Sequence, residues 1–79
     1  MAELTSLIKW NKVEDGLPDE DMTVLMVVEC NPGQYDKPVH EVDPGVLENG
    51  YWRYLNGFQV SKRDRVTHWA DLPEFQEEN

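Results

Sequence analysis

The chain has 79 residues, with 16 Asp and Glu against 7 Lys and Arg and a formal net charge of −9. That charge repels nucleic acid and anionic membranes at long range and attracts basic partners, so direct nucleic-acid or membrane binding is not expected. A chain this short hides only about 60% of the surface its unfolded form exposes. Cys30 is the one cysteine, which excludes an intramolecular disulfide and suits a reducing cytosol. Further support for so small a core would have to come from tight aromatic packing or from association into a homodimer.

In chain order, Leu4, Leu7 and Ile8 fit one short helical turn capped by Thr5 or Ser6, or equally an edge strand, within an N-terminal extension of residues 1–9. No charged start followed by an apolar stretch marks a targeting segment, so a cytoplasmic location is expected. Residues 10–73 read as one β-rich domain. Trp10 to Asp21 is expected to form an anchored loop, because Gly16 and Pro18 interrupt any regular ladder. The run Val24-Leu25-Met26-Val27-Val28 lacks polar alternation and predicts a central strand buried on both faces.

From Cys30 to Gly45 three prolines and scattered apolar residues predict a long loop, with room for a short edge strand over residues 39–42. Two Asn-Gly pairs, at Asn49-Gly50 and Asn56-Gly57, then separate Val46 to Glu48, Tyr51 to Leu55 and Phe58 to Ser61. Asn-Gly favours type I′ turns, so these segments predict a three-stranded meander. Within it, Trp52 and Tyr54 share one face and Tyr51, Arg53 and Leu55 the other. A last strand runs from Arg65 to Trp69, and the acidic residues 74–79 read as a flexible tail. The expected fold is mainly β: a small curled antiparallel sheet or partly open barrel of four or five strands.

Two motifs bracket this domain. One is Trp10-x-x-Val13-x-Asp15-x-Leu17-Pro18, and the other is Val66-Thr67-His68-Trp69-x-x-Leu72-Pro73. With the Val24-Leu25-x-Val27 strand between them, they resemble the small phage and prophage proteins grouped as domain of unknown function 551. The resemblance implies a phage accessory protein in a bacterial cytoplasm and offers no catalytic residues to carry over. The chain departs from the family pattern in its longer Cys30 to Gly45 stretch and its added N-terminal residues. Physically, each Leu-Pro step near a tryptophan reads as a clasp in which leucine buries, proline stiffens and the indole supplies an apolar plate.

Few residues suggest chemistry. His68, with Asp15 or Asp71, is the one candidate for an acid-base or ligand site, and a histidine held by a structural hydrogen bond is the plainer reading. His40, Glu41 and Asp43 carry metal-ligand atoms, a trio common by chance. No phosphate loop or nucleophile elbow occurs, so neither a cofactor nor a catalytic residue is assigned. Glu14, Asp15, Asp19, Glu20 and Asp21 crowd one segment, and Lys62, Arg63 and Arg65 another.

Three functions follow as expectations. The first is a non-catalytic module that binds a host or phage protein, with the acids and an exposed Trp52/Tyr54 face as candidate interaction residues. The second is an acidic mimic of DNA that inhibits a host nucleic-acid-binding or defence enzyme. The third is a small-ligand binder or enzyme using His68.

Overall fold

The computed structural model describes residues 8–73. The expected N-terminal helical turn and the C-terminal tail lie outside the described residues. Among the described residues, one sheet of five antiparallel strands makes up the fold: β1 (Asn11–Lys12), β2 (Val24–Glu29), β3 (His40–Glu48), β4 (Tyr51–Tyr54) and β5 (Arg65–Asp71). A 3₁₀ turn, Val13–Asp15, follows β1. The strand order is β1-β5-β2-β3-β4, and the sheet does not close into a barrel.

Strand β2 is central, as its apolar run predicts, but it is not buried on both faces. Val24, Met26 and Val28 are buried while Leu25, Val27 and Glu29 are half-buried, an alternation set by the pleat of a one-layer sheet. Met26 and Val28 form a core with Val60 and Val66, and Val13, Trp52 and Tyr54 pack against it. The other face carries the side chains of Leu25 and Val27, with Val42 exposed opposite Val27 and Tyr51 exposed further along the same face on β4.

The long loop expected up to Gly45 is corrected: β3 begins at His40 and runs straight through Asp43-Pro44-Gly45. A proline inside a strand is tolerated where its missing N–H would point away from any neighbour. Cys30 N donates to Val39 O at 2.8 Å, and Cys30 and Val39 continue the β2–β3 register. By antiparallel alternation Glu41, Asp43 and Gly45 therefore bond towards β2, while His40, Val42 and Pro44 point outwards. Strand β4 ends at Tyr54, opposite Gly45, so Pro44 has no strand on its outer side.

The first Asn-Gly turn is of the expected kind, with φ of 51° at Asn49 and 82° at Gly50 joining Glu48 to Tyr51. The second is not. Gly57 N donates to Tyr54 O, Tyr54 N donates to Phe58 O, and only Gly57, at φ 93°, is left-handed. That is a three-residue loop with a glycine bulge, in which Asn56 Oδ1 accepts from Phe58 N at 3.0 Å. The expected third strand of the meander shrinks to a bridge between Arg53 and Gln59 and one further bond, Val60 N to Trp52 O.

The aromatic cluster also divides. Trp52 and Tyr54 lie on the core face, whereas Tyr51 and Phe58 are exposed.

Candidate docking cleft

The anchored loop expected from Trp10 to Asp21 contains more order than its sequence suggests. Asn11 and Lys12 pair with Trp69 and His68 as a two-residue edge strand, and Asn11 Nδ2 donates to Trp69 O at 3.4 Å. The 3₁₀ turn then places Val13 against the core. From there the chain crosses the end of the sheet to the β3–β4 hairpin. Trp69 Nε1 donates to Gly16 O at 2.9 Å, Asp21 N donates to Leu47 O at 2.9 Å, and Glu20 Oε1 accepts from Gly50 N at 3.2 Å. Each such bond contributes about 1 kcal/mol net, and together they tie this strap to both halves of the sheet. Pro18 is buried beneath it.

Between strap and sheet opens a cleft of about 350 Å³, lined by Trp10, Asn11, Lys12, Asp15, Gly16, Leu17 and Trp69. Its walls are two indoles and a leucine, with one ammonium and one carboxylate. The clasp expected from the motifs is corrected here. Trp10 is 38% exposed, Leu17 55% and Leu72 44%. Pro18 alone buries as a clasp should; the leucines face solvent, because the one-layer sheet offers no second wall to receive them. Trp69 is half-buried and bonded to the strap, Pro73 is exposed, and Trp10 forms the outer wall.

The remaining candidates separate. Glu14, Asp15, Asp19, Glu20 and Asp21 are all exposed, and among the described residues only Glu20 uses its carboxylate in a hydrogen bond. They lie at the strap end of the sheet, whereas Arg65 pairs with Glu29 at the opposite end, at 2.6 Å. Trp52 and Tyr54 do not form an exposed patch, since they cover the core. His68 Nδ1 meets Thr67 Oγ1 at 2.9 Å. Because side chains alternate along β5, His68 faces away from Trp69 and Asp71, so neither Asp71 nor the cleft residue Asp15 is brought to it. The same alternation on β3 separates His40 from Glu41 and Asp43.

Cys30 is half-buried near the far end of the core face. Burial first, then the carboxylates of Glu41, Asp64 and Asp43, push its thiol pKa upwards. The Tyr54 hydroxyl is pushed up likewise, by burial and then by Asp43, Asp64 and Glu41, with Cys30 adding a smaller push. Neither group is therefore an activated nucleophile. No helix among the described residues is long and apolar enough to cross a membrane.

Sequence reasoning missed Asn11, Lys12 and Gly16 as cleft residues. The spacing of the two motifs hinted at them only by bracketing the positions that the strap brings to Trp69.

The single antiparallel sheet, its strap and the cleft define a small β domain with Trp10, Leu17 and Leu72 of its two motifs exposed. The chain belongs to the family described as Protein of unknown function (DUF551), whose model matches residues 9–75. No curated protein and no solved structure matches it.

Proposed function

We propose that the protein is a non-catalytic phage or prophage accessory protein that docks on another protein, of host or phage, through the cleft beside Trp69. The observation that carries this reading is the exposure of Trp10 and Leu17, large apolar members of the signature, around one cleft. A small domain gains stability by burying such side chains, and their placement in water favours contact with a partner. Charge selects the partner's chemistry: Glu14, Asp15 and Asp19 lie in the same short segment, so the fitting occupant is an extended segment with an apolar anchor beside Lys or Arg.

Site-specific photo-crosslinking tests this. A crosslinking amino acid replacing Leu17, at the cleft, is compared with one replacing Lys37, in the β2–β3 loop, in bacterial cells. The reading predicts a discrete protein adduct from position 17 that Trp10→Ala abolishes. No adduct, or equal adducts from both positions, would overturn it.

A second reading rests on the exposure of all five strap acids, which would act as a row of phosphate-like charges filling the basic groove of a nucleic-acid-binding host enzyme. In that case Glu14→Lys with Asp19→Lys removes the adduct, Trp10→Ala leaves it, and the captured protein binds DNA or RNA.

A further inference from the structure

The sheet has an open edge away from the cleft. Strand β3 extends past β4, which stops opposite Gly45. The outward groups of this overhang are the N–H and C=O of His40 and of Val42. Among the described residues none of them has a hydrogen-bond partner. The overhang is open to solvent, and Val42 is 54% exposed. Unpaired strand edges are templates for an added strand unless something blocks them.

Here the blocking is selective. Glu41 and Asp43 project on the core face and His40, Val42 and Pro44 on the other. Among the described residues neither Glu41 nor Asp43 has a cation within ion-pair distance. Their field, with that of Asp64, is strong enough to contribute to the raised pKa values of Cys30 and Tyr54. A second copy is a poor occupant. Antiparallel pairing about Val42 would set Glu41 opposite the copy's Asp43, gathering four carboxylates on one face, and Pro44 has no N–H to offer the copy's His40. A strand carrying Lys or Arg opposite those carboxylates meets no such penalty.

We infer that the β3 edge from His40 to Pro44 accepts an added strand from a basic partner segment, with alternate Lys or Arg opposite Glu41 and Asp43 and apolar residues beside Val42. The bonds come from backbone groups, and the alternating charges set which chains can use them. This surface is separate from the Trp10–Trp69 cleft and stands whether or not the cleft binds.

The probe is a capped peptide of alternating lysine and valine, with a glutamate-valine counterpart as control. Nuclear magnetic resonance of the full chain should show the His40 and Val42 amides exchanging freely alone and becoming protected on addition of the basic peptide. Val42→Pro removes an outward N–H but no β2–β3 bond, and should weaken binding roughly tenfold while the fold persists. Glu41→Lys with Asp43→Lys should reverse the preference to the acidic peptide. Equal binding by folded Val42→Pro and the parent would reveal charge attraction alone and overturn the proposal. So would an absence of binding at millimolar peptide, shifts confined to Trp10 and Trp69, or protection of the same amides by self-association in the parent. Should Val42→Pro fail to fold, amide protection in the parent and the charge-reversed pair still decide the matter.

Discussion

The indole N–H of Trp69 donates to the carbonyl of Gly16 at 2.9 Å, joining positions 53 residues apart. With the β1–β5 pairing of Asn11 and Lys12 to Trp69 and His68, it brings the two halves of the family signature together in space. Trp10, which carries the same indole, lies on the outer side of the cleft that this bond helps to shape.

The two tryptophans should therefore respond differently to substitution. Trp69→Phe keeps an aromatic ring but loses the indole donor, costing about 1 kcal/mol. Trp69→Ala also removes a half-buried plate and should cost about 2–3 kcal/mol. Trp10→Ala should cost less than about 1 kcal/mol, since its ring is more exposed. Urea denaturation of the three variants checks the order.

Gly45 should be intolerant of even one methyl group. A Cβ there would lie 2.6 Å from Met26 Sδ and 2.7 Å from the backbone oxygen of Arg53. The thioether can shift, but the carbonyl belongs to the β3–β4 ladder and cannot. Gly45→Ala is expected to cost about 1–3 kcal/mol by overpacking. A melting temperature unchanged from the parent would contradict this.

Cys30 should be slow to alkylate. Burial and the Glu41, Asp64 and Asp43 carboxylates all disfavour the thiolate, so the folded protein holds the thiol protonated at pH values where a free cysteine has begun to ionise. The rate with iodoacetamide should rise with pH later than it does for a free thiol, and Glu41→Gln with Asp43→Asn should move the rise to lower pH. A profile at or below that of free cysteine would refute the arrangement.

Much of this fold was legible because the local signals were strong. The Val24 to Val28 run marks the central strand, and Asn49-Gly50 marks a hairpin whose turn needs positive φ at both positions. What misled were residues whose meaning depends on distant neighbours. Pro44 reads as a strand breaker unless β4 is known to end at Tyr54. Asn56-Gly57 resembles its predecessor, yet the turn that formed there places only the glycine in the left-handed region. Leu17 and Leu72 read as buried by type, and only a one-layer sheet leaves them exposed. The cleft could not be read from spacing, because it joins a strap near one end of the chain to a tryptophan near the other.

We propose that Trp10, Leu17 and Trp69 build a docking surface. Its most direct measurement is the photo-crosslink yield from position 17 in bacterial cells, in the parent background and in folded Trp10→Ala. A docking cleft gives one discrete protein adduct that disappears with the Trp10 indole. An adduct of equal yield in both backgrounds, or none in either, would contradict it.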